Sequence, residues 1–172
     1  LQEQRAEAQA KRRIGIGFTG LGDTLIMLCL KYNSDEGRTM ASRIAEAMRD
    51  SAYEASCDLA AEKGPFPMFD RQKYVQAAFI QRLPGRIRRR IADKGIRNAV
   101  LLTQAPTGTT SLLAGVSSGI EPVYDFVMRR KDRTGEHILY HPIYEQWRRT
   151  HAEETAPDYF VSASDLTPEE HV

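Results

Sequence analysis

The stretch that most constrains the fold runs from residue 98 to residue 116, where "NAVLLTQ" is followed by "APTGTTS" and then "LLAGV". The first seven residues form a short apolar run, and length and composition predict a buried strand rather than a helix. Pro106 and Gly108 then punctuate the chain, and the apolar segment after Ser111 reads as a helix. A strand that turns directly into a helix presents unpaired backbone N–H groups and the positive end of the helix dipole to an anion. Gly108 permits close approach, and Thr107, Thr109, Thr110 and Ser111 can add hydroxyl donors. No lysine stands in the G-K-[ST] position, so this is not a Walker loop. From these residues alone two readings stay open: a phosphate site, or a helix start that is merely capped.

The other segments supply the setting. "LGDTLIMLCLKY" (21–32) is continuously apolar and reads as a buried helix. Asn33 is expected to cap a second helix with Glu36 at its third position. Met40, Ile44, Met48, Ala52, Ala55 and Leu59 mark that helix as amphipathic, and Gly64-Pro65 ends it. Residues 71–94 read as two shorter helices separated by Pro84-Gly85. "VYDFVMRRKDRTGEHILYH" (123–141) resembles two strands joined near Arg133-Thr134-Gly135. "PIYEQWRRTHAEE" reads as a helix and "DYFVSAS" as a short strand. Helices alternating with a few buried strands predict an α/β architecture.

Three further motifs bear on chemistry. Gly15-Ile16-Gly17-Phe18-Thr19-Gly20 is a literal G-x-G-x-x-G, but Lys11-Arg12-Arg13-Ile14 before it is no buried strand. No acidic residue closes a second strand near residue 40. Close packing or a turn is the simpler reading of those glycines. The run "RLPGRIRRRIADKGIR" (82–97) carries seven cations against Asp93, which suits a nucleic-acid surface. Ile87 and Ile91 give the same run an apolar stripe, which suits a helix with a solvated basic face. In "SSGIEP" (117–122), Glu121 reads as a solvated turn acid. His137, His141, His151, His171, Cys29 and Cys57 show no metal-ligand spacing, and no nucleophile–base constellation is legible.

Composition narrows the class. The 172 residues carry a formal net charge of +1, with 41% hydrophobic and 27% charged residues. That describes an ordinary globular chain with no whole-chain charge signal for nucleic acid. No apolar run approaches the ~20 residues of a membrane helix. The opening segment has no secretory h-region. Two cysteines in helical patterns point to reduced thiols in a cytoplasmic protein. The charged opening stretch, and the capping box Thr167–Glu170 so near the end of the chain, are read as signs of a fragment cut from a larger protein.

"RRIGIGFTGLGD", "EKGPFPMFD", "GIRNAVLLTQAPTGTTSLLAGVSSGIEP" and "VSASDLTPEEHV" together resemble, in order, the large catalytic subunit of ribonucleotide reductases. Gly108 within "PTGT" resembles the adenosylcobalamin-dependent class, since the aerobic iron-dependent class usually has alanine there. The resemblance implies a ten-stranded α/β barrel, of which residues 1–172 would be a single partial domain. It implies that Pro106, Thr107, Gly108, Thr109, Thr110 and Ser111 hold the phosphates of a ribonucleotide substrate. It further implies radical reduction of a ribonucleoside diphosphate to the deoxyribonucleotide, started by homolysis of adenosylcobalamin and sustained by a thiol reductant system. The family's N-P-C-G-E loop is absent from this sequence, so no catalytic residue is assigned. The chain alone is expected to be inactive, to need the rest of the barrel, and to self-associate. The competing expectation is a nucleic-acid-binding module built on residues 82–97.

Overall fold

The computed structural model describes residues 1–152 and 154–171, with Asp132 described by its backbone alone. Glu153 and Val172, which end the expected segments "PIYEQWRRTHAEE" and "VSASDLTPEEHV", lie outside the described residues. In chain order the helices are α1 (Gln2–Lys11), α2 (Leu21–Met27), α3 (Asp35–Lys63), α4 (Arg71–Gln76), α5 (Ala78–Gln81), α6 (Gly85–Lys94), α7 (Gly108–Ala114) and α8 (Pro142–Thr150). An antiparallel hairpin, β1 (Val127–Asp132) and β2 (Gly135–Tyr140), precedes α8. The chain divides into two compact units, one made of residues 1–17 and 43–103, the other of 18–42 and 104–172.

The first unit is organised by apolar burial. Ile87 and Ile91 lie one turn apart on α6 and are fully buried. They join Tyr53 and Cys57 of α3 and Phe66, Ile80, Leu83, Ile96 and Leu101 in one cluster. Burial pushes the Cys57 thiol up to about 11, so it stays protonated at neutral pH. The opposite face of α6 is charged, and its cations meet the acids that α3 presents at four-residue spacing. The Arg86 guanidinium donates to Glu54 (2.8 Å) and Asp50 (2.9 Å). Arg90 and Lys94 share Asp58. Arg97 donates to the carbonyls of Lys63 and Gly64 at the end of α3, where Gly64 adopts a left-handed backbone. Much of the basic run is thus matched within the chain, and the nucleic-acid reading gains no support.

Residues 98–104 do not form the expected strand. They are extended and meet residues 14–16 through a single parallel bridge, Ile16 to Leu102. Strand ladders need a backbone partner along their whole length. Here the partner is irregular: Ala99 N–H donates to Lys11 (3.0 Å), Ile14 N–H to Val100 (3.0 Å), Ile16 N–H to Leu101 (2.8 Å) and Thr103 N–H to Ile16 (3.0 Å). Burial is also partial, with Leu101 at 2% exposed and Val100 at 45%. The 71–83 region holds two helical pieces rather than one, because the chain turns extended at Ala77.

In the second unit the helix expected over 21–32 stops at Met27. Cys29 N–H donates to Ile26 (2.9 Å) and Leu30 N–H to Leu25 (2.9 Å). These are the two bonds of a Schellman closure, with Cys29 left-handed (φ 55°) in the place glycine usually takes. Ser34, not Asn33, opens α3: its Oγ accepts from Gly37 N–H at 3.0 Å, while Asn33 donates to Glu170. The hairpin forms as expected, in the register Val127–Tyr140 to Asp132–Gly135. "DYFVSAS" is not a strand but one parallel bridge, Ser162 to Val123, leading into a 3-10 turn at Ala163–Asp165. The capping box bonds of Thr167 and Glu170 are present. Among the described residues, then, one two-stranded sheet and two bridges are the whole β content, and no closed barrel forms.

Candidate functional site

The stretch Pro106–Ser111 opens α7. Thr107 is its N-cap residue, in the left-handed region at φ 54° and ψ 18°. A β-branched residue held there costs on the order of 1–3 kcal/mol, and persists only where its surroundings dictate the conformation. Those surroundings are visible. Thr107 Oγ1 accepts from the backbone N–H of Gly119 at 2.8 Å and lies 2.9 Å from Thr19 Oγ1. Thr19 in turn donates to the Ser117 carbonyl (2.8 Å) and accepts from Gly119 N–H (3.0 Å). With Thr19's proton on Ser117, the Thr107 hydroxyl is the donor between the two threonines. Ser111, 1% exposed, donates to the Gly108 carbonyl and meets Ser118 Oγ, each at 3.0 Å.

This accounting divides the six sequence-selected residues. The protons of Thr107 and Ser111 are committed inside the chain, so those residues shape the loop. Gly108, Thr109 and Thr110 are exposed. They occupy the first turn of α7, whose N–H groups have no partner within the helix, and no described bond from outside uses them. Pro106 is exposed in the approach to the turn. A Cβ added at Gly108 would meet nothing within 4 Å, and Gly108 is not among the residues with positive φ. Neither packing nor backbone conformation asks for glycine there. A ligand resting against the backbone would.

Beside this loop lies a pocket of about 400 Å³, lined among others by Gly108, Thr109, Ser117, Glu121, Asp125 and His141. His141 Nδ1 sits 3.6 Å from Asp23 Oδ1 and has no hydrogen-bond partner among the described residues. Burial holds the His141 imidazole below its ordinary value, with the Asp23 carboxylate opposing that shift. Asp23 itself accepts from Ser117 N–H at 2.5 Å.

The G-x-G-x-x-G segment is resolved by the same contacts. Gly20 N–H donates to the Ser117 carbonyl, and Leu21 N–H to that of Gly119. Asp23 N–H donates to Ser117 Oγ. The start of α2, where a dinucleotide's phosphates would sit, is filled by the chain's own 117–119 turn. The glycines serve close approach: a Cβ at Gly15 would collide with the Thr103 methyl, and one at Gly22 would come within 3.0 Å of Glu121 O and Val123 N. Sequence reading missed Thr19, Asp23, Ser117 and Gly119 as parts of the loop. Their only signal was polar residues set between glycines in two separate turns.

Among the described residues no group of histidine, cysteine and acidic side chains is placed to hold a metal. No helix there is long and apolar enough to cross a membrane. The family model for the ribonucleotide reductase barrel domain matches residues 1–171. The ribonucleoside-diphosphate reductase large chain of Encephalitozoon cuniculi is 36% identical over 146 residues, covering 79% of this chain and 19% of that protein. The vitamin B12-dependent ribonucleoside-diphosphate reductases of Mycobacterium tuberculosis (34% identical, 77% of this chain, 17% of theirs) and Thermoplasma acidophilum (32%, 80% and 16%) are similar too. The chain therefore spans under a fifth of the length of these relatives. With the family model covering all but the last residue, the chain belongs to the ribonucleotide reductase barrel-domain family.

Proposed function

We propose that residues 106–111 bind the phosphate groups of a ribonucleoside diphosphate in an adenosylcobalamin-dependent ribonucleotide reductase, of which this chain is one partial domain of the catalytic barrel. The observation that carries the reading is Gly108. It is exposed at the first turn of α7, is required by neither packing nor backbone angle, and is flanked by N–H groups without described partners. Phosphate oxygens fit such a turn because several N–H dipoles converge without the desolvation cost of a buried cation. Thr109 and Thr110 supply exposed hydroxyls beside them.

The cobalamin class rests on glycine rather than alanine at 108 and on the vitamin B12-dependent relatives, although the Encephalitozoon relative carries no such description. The pockets described in the two units measure about 340, 350 and 400 Å³. These fall in the size range of small-molecule sites. No residue of this chain is assigned to hold the cofactor, and no step is derived through it. The radical-bearing cysteine, the thiol reductant's docking site and the rest of the barrel belong to other parts of a cytoplasmic enzyme. Cys57 is buried with a raised pKa, which suits packing rather than redox exchange.

The test is titration of the 172-residue chain and of the full-length enzyme with a ribonucleoside diphosphate. Binding that is lost in Gly108→Val supports the reading, and unchanged binding in that variant overturns it. The chain alone is expected to reduce no nucleotide. Leu112 and Leu113 lie side by side at 78% and 90% exposed, so the isolated chain is expected to self-associate. Sedimentation at rising concentration checks this, and a monomer throughout would refute it.

A further inference from the structure

The phosphate loop does not hold its own shape. Its N-cap Thr107 stands left-handed, and it is fixed by Gly119 of the following turn and by Thr19, eighty-eight residues earlier in the sequence. Each hydroxyl proton in the set has one destination. Thr19 gives its hydroxyl proton to the Ser117 carbonyl, Thr107 gives its own to Thr19, and Gly119 N–H is shared between the two threonine oxygens. Four residues after Thr19, within α2, Asp23 accepts from Ser117 N–H and its own N–H donates to Ser117 Oγ. Gln104, just ahead of the loop, donates to the Phe18 carbonyl at 2.6 Å. The segment 18–23 thus grips the loop before Pro106 and the turn after α7, and its only side-chain bond to the α7 N-cap is made by Thr19.

We propose that Thr19 is a positioning residue for phosphate recognition, with Asp23 securing the 117–119 turn through which it acts. By binding the Thr107 hydroxyl and the Gly119 N–H, Thr19 keeps both from competing for the ligand. It holds the first turn of α7 in place, with the Gly108–Thr110 N–H groups left without described partners. A threonine fits this place because its hydroxyl donates once and accepts twice, which valine of the same shape does not. The inference rests on the phosphate-loop reading, and the experiment separates the two.

In the full-length reductase, Thr19→Val is expected to raise KM for a ribonucleoside diphosphate about tenfold, as removal of one partner from a part-buried polar set does. The inhibition constant of inorganic pyrophosphate should rise in parallel, with kcat changed less than about threefold. Thr19→Ser, which keeps the hydroxyl, should return both constants to near the parent values. Gly108→Val is measured alongside. If it raises KM while Thr19→Val behaves as the parent, the phosphate loop stands and this inference falls. If Gly108→Val leaves KM and the pyrophosphate constant unchanged, the phosphate-loop reading itself falls. A loss confined to kcat in Thr19→Val also overturns the positioning role. Should the valine variant not fold, Thr19→Ala carries the same expectation, and failure of both to fold while Thr19→Ser folds assigns Thr19 a structural role instead.

Discussion

Both units bury apolar side chains, but they differ in how they use their buried polar groups. In the first, Ile87, Ile91, Ile96 and Cys57 are fully buried in an apolar cluster. The second also buries apolar side chains, Leu25, Ile26 and Val123 among them, and adds a polar set around α7: Ser111, Ser117 and Asp23 are each under a tenth exposed, and each has hydrogen-bond partners. Apolar burial is non-directional and contributes in proportion to area. Hydrogen bonds contribute little net energy each but fix direction, and leaving one unmade in the interior is costly. Apolar burial underlies both units, and in the second the polar set adds direction, fixing the loop and the 117–119 turn to residues 19–23.

That contrast can be broken at its apolar end first. Ile91→Ala, at a site with no exposure, should destabilise by about 2–5 kcal/mol in urea unfolding. A loss under about 1 kcal/mol would mean the cluster does not bear the first unit's stability. Next in size, Asp23→Ala removes the acceptor of Ser117 N–H and should cost about 1–3 kcal/mol, with hydrogen exchange accelerated at residues 117–119. Unchanged exchange there would show the turn is held by something else.

Acid should sharpen the comparison further. The folded state holds His141 below its ordinary value. Between that lowered value and about 6.5 the unfolded chain binds more protons than the folded one, so stability is full above about 6.5 and declines as pH falls through that window. Thermal unfolding from pH 8 to pH 5 should show this decline, and His141→Gln should flatten it. A decline that persists in the variant would assign it to other groups. The smallest effect is expected from Arg86→Ala. Its pairs with Asp50 and Glu54 lie at the surface, so the unfolding midpoint should move little, and less at high salt.

The sequence was most legible where local chemistry decides. The 133–135 turn placed the hairpin correctly because two-strand pairing is settled by its connection. Gly64-Pro65 ended α3, and the isoleucine stripe marked the buried face of α6. The failures share a cause. "NAVLLTQ" and "DYFVSAS" have strand composition, but a strand exists only where a partner backbone runs beside it, and each found one bridge. Residues 25–30 are apolar without a break, so nothing in their composition marked the turn that closes α2 at residues 28–30.

For the candidate site, the sequence by itself determined the loop's composition: a glycine among hydroxyl residues, between an extended segment and a helix. It also determined the family, through the order of four motifs. Only the tertiary structure decided which of the loop's hydroxyls are bonded within the chain. It brings Thr19 to Thr107 and Ser117 to Asp23 across more than eighty residues of chain. No periodicity or spacing encodes such pairs, because hydrogen bonds between distant segments depend on where the backbone has been carried and not on what stands next in the sequence.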